Sequence, residues 1–299
     1  TFPIRVFFGT LWCDLTFSWF GSFNAFFAVI FSRLLGKKSI VVAGGHDVVN
    51  MPELNYGLLN TRFWKYFAIC SFKWCDKILA VSQYTKNELL QNIKGIPEGK
   101  VEVLYHGFHP VEFRHGRQER NSIISIAQVK RTYLARKGIE NFVKSSALLR
   151  DCRFILIGKY EDGCLNYLRS LSDNIEFTGF IPYGNLLSYM QQAKVYVQIS
   201  AHEAFGCALA EAMLCECIPV VTNRGAIPEV VGDTGYYVEY GDVTGAAEAI
   251  RRAMNDPDDK GKKARARIKE KFTLEERERR LLKVIEGLIK QQMQTRGRR

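Results

Sequence analysis

The residues best suited to chemistry run Ser200-Ala-His-Glu-Ala-Phe-Gly-Cys-Ala-Leu-Ala-Glu211. Two carboxylates, Glu203 and Glu211, stand eight positions apart and bracket Gly206, a residue able to open a helix. The apolar run through Val197 and Ile199 reads as a strand that delivers this loop to the carboxyl edge of a parallel sheet, where open α/β folds bind their ligands. Backbone N–H groups at Phe205, Gly206 and Cys207 would then face an anion. A helix start offers unpaired donors and the positive end of the dipole, so a diphosphate is the guest that fits. Glu211, more than a turn inside the same helix, can reach a polyhydroxylated group beside the phosphates. A second apolar strand, Ile218 to Thr222, leads into Gly225-Ala-Ile-Pro-Glu229.

In His-Glu-Ala-Phe-Gly, the Glu-x7-Glu spacing and Gly-Ala-Ile-Pro-Glu, the chain resembles the retaining glycosyltransferases of family 4. The resemblance implies that Glu203 contacts the donor sugar, that Glu211 holds the nucleotide's ribose, and that the helix start at Phe205, Gly206 and Cys207 binds the diphosphate. Arg131 and Lys137-Gly138 resemble a second phosphate anchor of the same family. Long cationic side chains there would neutralise charge building on a departing phosphate. On composition alone a solvated basic loop is an equal reading, because Lys130, Arg131, Arg136 and Lys137 crowd one short turn. The family also places a histidine near the donor sugar, which implies that role for His46 in Gly44-Gly-His-Asp47; Asp47 is a weaker candidate. The turn carrying Phe180 and Ile181 passes the nucleobase in the family, so backbone groups there are expected to meet the base. A core aromatic in a βα turn is the competing reading of Phe180.

The fold expected is α/β of the GT-B type, with two Rossmann-like doubly wound domains facing a cleft. The strand and helix series divide as 1–117, 118–271 and 272–299. The first is the acceptor-side domain, the second holds the nucleotide-sugar, and the last is a helix crossing back to the first domain plus a basic tail. The polar run Arg114 to Asn121 reads as the linker. Nothing near the first residues matches the family's opening strand and Gly-rich turn, so the first domain is expected to be incomplete. Leu15 to Ser32 carries no charge and is expected to form a buried helix under the strand Ser39 to Ala43. Its Thr, Ser, Gly and Asn interruptions argue against a membrane span, which needs roughly 20 mainly apolar residues. Ser82 is placed to cap the next helix, and His106 and His109 read as structural or rim residues.

Of the 299 residues 47% are hydrophobic, enough for two moderate cores. Eight cysteines without paired Cys-x-x-Cys spacing suggest neither a zinc site nor a disulfide framework. Small core thiols of a reducing, cytoplasmic compartment fit them. Net charge is +11, and fifteen Lys and Arg against five Glu from Lys260 to Arg299 make that excess a C-terminal feature. The helix Phe272 to Lys290 could rest its basic face on anionic lipid at the inner face of a membrane. Nucleic acid is the poorer partner, since no aromatics interleave with the charges and no recognisable module is present.

A retaining glycosidase needs two carboxylates about 5 Å apart flanking the bond, whereas Glu203 and Glu211 come from one loop and helix beside a phosphate site. The resemblance therefore implies transfer of a sugar from a nucleotide-sugar to a glycan or lipid-linked acceptor, with retention. The leaving diphosphate helps deprotonate the acceptor, and no protein nucleophile, cofactor or metal is expected. A silent nucleotide-sugar binder and a sugar-nucleotide epimerase on the same fold remain the alternatives.

Overall fold

The computed structural model describes residues 2–113, 120–161, 163–257 and 259–296. The chain forms two compact units, Thr1–His106 with Leu274 onward, and Gly107–Thr273.

The first unit opens with α1 (Phe2–Trp12), β1 (Leu15–Trp19), α2 (Phe23–Leu34) and β2 (Lys38–Ala43), then continues through α3 (Trp64–Trp74), β3 (Lys77–Ala80), α4 (Gln83–Asn92) and β4 (Val101–Val103). Its four strands are parallel in the order β1-β2-β3-β4. The β-branched run Ser39-Ile-Val-Val-Ala43 is buried on both faces, as a strand inside a parallel sheet must be. The expected helix across Leu15–Ser32 is corrected: the segment is a strand followed by a helix. An uncharged apolar run does not separate the two by period. The break lies at Phe20, with φ of 66°, and at Gly21, where a Cβ would fall 2.3 Å from the Phe72 ring. Ser22 then caps α2 by accepting from Ala25 N–H at 3.4 Å. Ser82 caps α4 as expected, accepting from Thr85 N–H at 3.0 Å.

The second unit contains β5 (Ser122–Ile126), α5 (Ile139–Ala147), β6 (Arg153–Ile157), α6 (Cys164–Leu171), β7 (Glu176–Gly179), α7 (Tyr183–Gln192) and β8 (Ala193–Gln198). It continues with α8 (Cys207–Leu214), β9 (Ile218–Thr222), α9 (Ile227–Val231), β10 (Tyr236–Val238), α10 (Val243–Met254) and α11 (Asp259–Lys271). Six parallel strands lie in the order β10-β9-β8-β5-β6-β7. Ile139, Phe142 and Val143 of α5 pack with Leu156 of β6 and Ile250 of α10 in one core, the spacing of a helix with a single apolar face.

The chain then returns to the first unit as α12 (Leu274–Arg296). Arg277 donates to the Leu104 and Tyr105 carbonyls, and Arg280 donates to the Val103 carbonyl at 2.6 Å. The boundaries fall at Gly107 and Leu274 rather than at 118 and 272. Phe108 N–H donates to the Phe272 carbonyl at 2.9 Å, and the Phe113 carbonyl accepts from Arg265, so the segment after His106 is held by the second unit. The expected linker from Arg114 lies outside the described residues up to position 119, as does the basic tail after Arg296. His106 is structural: its ring stacks on Trp19 at 6.0 Å, and burial and the Arg277 cation push its pKa down to about 4. Among the described residues no helix is long and apolar enough to cross a membrane.

Candidate functional site

In the second sheet β5 lies between β6 and β8, so the connections leave β5 in one direction and return to its other side. This is a topological switch point, where two loops emerge side by side at the carboxyl edge and leave a crevice. The loop after β5 carries Arg136 and Lys137, and the loop after β8 carries Ser200 and Glu203. The two are tied together. Ala201 N–H donates to the Arg136 carbonyl at 2.7 Å. Gly138, at φ of 64°, passes so close that a Cβ would sit 2.1 Å from the Ile199 carbonyl oxygen. A third loop closes from behind: Ala226 N–H donates to the Glu203 carbonyl at 2.8 Å, and a Cβ on Gly225 would lie 2.4 Å from that same oxygen. The Gly-Ala-Ile-Pro-Glu segment thus holds the backbone of the first glutamate.

Glu203 is buried, and its carboxylate pairs with the Lys137 ammonium while accepting from the Ser200 hydroxyl at 2.9 Å. Ser200 is fixed in turn by Thr222, whose hydroxyl donates to the Ser200 carbonyl at 2.6 Å. Burial alone would push the Glu203 carboxyl up. The Lys137 and Arg136 cations and the Ser200 hydroxyl outweigh it, so the group titrates below the usual glutamate value and is ionised at neutral pH.

Arg131, expected beside Lys137, is placed elsewhere. Its N–H donates to the Glu161 carboxylate at 3.2 Å, and it lines a cavity with Leu134, Glu140, Glu161 and Tyr167. The cation that accompanies Lys137 is Arg136, buried and acting on Glu203. Four basic residues share that turn, and of these Lys137 and Arg136 are the two that act on Glu203. Arg136 thus joins Lys137 as a second cation acting on Glu203, and a phosphate-anchoring role for Arg131 stays an expectation from the family resemblance.

Gly206 takes φ of 97° and leads directly into α8, with Cys207 exposed at its first position. Gly206 offers no side chain to cap the helix. The Phe205 ring is buried, stacked on Phe108 at 6.0 Å and edge-on to Phe272 at 5.3 Å. Only its backbone can serve a ligand, and its ring anchors the loop to the core.

Glu211 lies one turn further along α8 and accepts from the Tyr183 hydroxyl at 3.3 Å. It lines a small cavity of about 80 Å³ with Phe113, Tyr183, Leu187 and Met190. Burial pushes its pKa up to about 7, and Glu112 adds to the rise. The two glutamates of the pattern therefore differ at neutral pH: Glu203 is held charged and Glu211 is half titrated. Tyr183 is not apparent in the sequence, being 28 positions away; a tyrosine at the start of α7 is the one available hint.

Phe180 follows β7 and is 72% exposed, which removes the core-aromatic reading; Ile181 beside it is half-buried. His46 belongs to the first unit. It is exposed, edge-to-face with Tyr56 at 5.2 Å, and its carbonyl accepts from Leu58 N–H at 2.7 Å. Asp47 is no ligand group. Fully buried, it accepts from the N–H groups of Gly21 at 2.7 Å, Gly44 at 3.0 Å and Gly45 at 2.9 Å, and fixes the turn that carries His46. Burial pushes its pKa up to about 6 against these lowering backbone contacts, its own N–H included.

Two parallel-sheet α/β units, one carrying a cation–carboxylate pair and a helix start at its switch point, fit the GT-B fold of glycosyltransferases. Residues 112–273 match the family described as Glycosyl transferases group 1, and residues 16–112 match Glycosyltransferase Family 4; the chain belongs to this family. It is 27% identical over 277 residues to N-acetyl-alpha-D-glucosaminyl L-malate synthase of Bacillus anthracis, covering 84% of this chain and 69% of that protein. It is 24% identical over 240 residues to a phosphatidylinositol N-acetylglucosaminyltransferase polypeptide of Arabidopsis thaliana, covering 76% of this chain but 51% of the relative. In fold it is similar to Anabaena Alr3699/HepE, solved with UDP and glucose, at a TM-score of 0.78 and 18% identity over 95% of this chain and 80% of that one. Sucrose-phosphate synthase of Thermosynechococcus elongatus gives 0.77 at 19% identity, over 95% and 76%.

Proposed function

We propose that the protein transfers a hexosyl group from a nucleoside-diphosphate sugar to a hydroxyl of a glycan or lipid-linked acceptor, with retention of anomeric configuration. The observation that carries this reading is the Lys137–Glu203 pair at the switch point of the second sheet, beside the start of α8. In that arrangement the ammonium of Lys137 can move its charge from the carboxylate to a diphosphate, and Arg136 and the helix start add to it. The freed Glu203 carboxylate then accepts hydrogen bonds from donor-sugar hydroxyls and orients the anomeric carbon. As the glycosidic bond to the diphosphate breaks, negative charge grows on the leaving oxygen and positive charge on the sugar ring. The cations stabilise the first and the ionised Glu203 the second. The acceptor's proton passes to the departing diphosphate oxygen, so no protein base is required.

Glu211 takes the ribose hydroxyls, Phe180 and Ile181 the base, and His46 of the other unit the donor sugar; these roles follow from the family resemblance. The phosphate charge is carried by side chains and backbone, and turnover is expected to survive a chelator. UDP-sugars are the first donors to try, because the Anabaena structure holds UDP and glucose and two relatives are named for N-acetylglucosaminyl transfer. The test is product formation from UDP-glucose and UDP-N-acetylglucosamine with glycan and lipid-linked acceptors, with the anomeric configuration of the product read by NMR. Donor binding without product over the whole acceptor set supports the silent-binder reading, and an inverted product contradicts ours.

A further inference from the structure

Side chains alternate along β8. Val195 and Val197 belong to the core shared with α5 and α10, whereas Tyr196 and Gln198 share the opposite face of the strand. A phenylalanine and a leucine would fill that face without any polar group to satisfy. Tyr196 is instead wholly buried with a hydroxyl that must find a partner, and it donates to Gln198 Oε1 at 3.2 Å.

This hydrogen bond fixes the carboxamide. Turning the amide over would set Nε2 against the hydroxyl and leave a buried phenolic proton with no acceptor among the described residues. Burial holds the Tyr196 pKa well above the ordinary tyrosine value, and the Glu203 and Glu211 carboxylates add to the rise, so the hydroxyl keeps its proton at neutral pH. With Oε1 taken, Gln198 presents the two N–H groups of Nε2, and among the described residues no group accepts from them.

The amide nitrogen stands at the candidate site. A Cβ on Gly206 would lie 3.2 Å from Nε2, so the side chain that this glycine lacks leaves the amide uncovered beside the backbone entering α8. Gln198 is half-buried, closes β8, and precedes the loop of Ser200 and Glu203. Its partner Tyr196 is within electrostatic reach of both Glu203 and Glu211.

The donor set selects the ligand. An amide whose oxygen is already engaged offers N–H groups only, and its guest must supply acceptors. Phosphate oxygens are acceptors alone, and the Lys137 and Arg136 cations act at the same edge of the sheet.

We infer that Gln198, oriented by Tyr196, donates from Nε2 to a phosphate oxygen of the donor nucleotide, as a neutral member of the phosphate-binding set. The inference rests on the donor-site reading proposed above. Lys137 must leave a carboxylate to meet the phosphate, whereas the amide is already aimed and releases no partner.

The test begins with calorimetric titration of UDP, GDP and ADP into the unaltered full chain. The tightest of the three is then titrated into Gln198→Met, Gln198→Glu, Tyr196→Phe and Lys137→Ala, and its parent nucleoside is followed by ligand-observed NMR. Circular dichroism checks that each variant is folded. Gln198→Met, close in length but without the amide, is expected to lose roughly tenfold in affinity for the diphosphate and to bind the nucleoside as before. Gln198→Glu still accepts from Tyr196 but sets a carboxylate against the phosphate, so it should lose more. Tyr196→Phe keeps the amide but frees its orientation, and a smaller loss is expected. If Gln198→Met and Gln198→Glu bind the diphosphate like the unaltered chain while Lys137→Ala is weakened, the inference is overturned and the donor site stands. An equal loss for nucleoside and diphosphate overturns it as well, because the amide then serves the nucleoside or the loop. No binding of any of the three by the unaltered chain removes the donor-site reading and this contact with it.

Discussion

The carboxyl edges of the two sheets are built differently. In the second unit the loops after β5 and β8 bring a half-buried ammonium, a buried guanidinium and a buried carboxylate together, with a helix start alongside. In the first unit the turn after β2 also buries a carboxylate, Asp47, but aims it at three backbone N–H groups of its neighbours and leaves His46 facing solvent. Both glutamate and aspartate are removed from water. One is matched by movable side-chain cations that a ligand can reclaim, and the other by fixed backbone dipoles that cannot move. A buried charge paired with mobile counter-charge is a site in waiting, whereas a buried charge paired with backbone is a scaffold.

This contrast is sharpened first at Glu203. Glu203→Gln should lower turnover by on the order of 10²-fold or more, while affinity for the free nucleotide is kept or raised, because Lys137 loses its competing partner. A parallel loss of nucleotide affinity, read by calorimetry, would break the assignment of sugar contact to Glu203.

The next largest effect belongs to the backbone that frames it. Gly138→Ala places a Cβ against the Ile199 carbonyl in a left-handed conformation, and should cost about 1–3 kcal/mol of stability or more. Gly36→Ala, left-handed too but with open space around its Cβ, should cost less. Equal shifts in the denaturant midpoint would show that the loop crossing is not tight.

Asp47→Asn should destabilise by about 1–3 kcal/mol, since an amide cannot accept all the N–H bonds that the carboxylate takes. Its raised pKa sets a pH slope. The folded state holds the proton up to about pH 6 where the unfolded chain releases it near 4, so this group's contribution is largest below pH 4 and falls as pH rises to 6. The Asn variant should lose that part of the slope in thermal melts taken across the range.

The smallest effect concerns Glu211. With its pKa raised to about 7, the carboxylate becomes a full acceptor for ribose hydroxyls only above neutrality. Nucleotide affinity should therefore rise several-fold as pH is raised through 7 and level off above it. Glu211→Gln should flatten the curve; a slope that survives the substitution assigns the titration to another group.

Much of the second unit was readable from residues alone. The helix start at Gly206, the strand Ile218–Thr222 and the apolar face of α5 follow from glycine placement and period, and they are local. What was missed was non-local. Arg136 lies one position before Lys137 in a basic turn, and its action on Glu203 appears only once the β5 and β8 loops are brought together. Tyr183 reaches Glu211 only because α7 and α8 both leave the same edge. The first unit misled at Leu15–Ser32, where an uncharged run hides a strand and a helix, and where the aromatic surplus looks like core although much of it faces outward.

The most direct test of the site is calorimetric titration of UDP and a UDP-sugar into the unaltered chain and into Lys137→Ala. The account predicts binding by the former and a loss of at least about tenfold in the latter, with the second unit still folded by circular dichroism although its thermal midpoint falls, because Glu203 is left buried without its counter-charge. Equal affinity in both proteins would contradict it, because the ammonium held against Glu203 would then have no part in receiving the diphosphate.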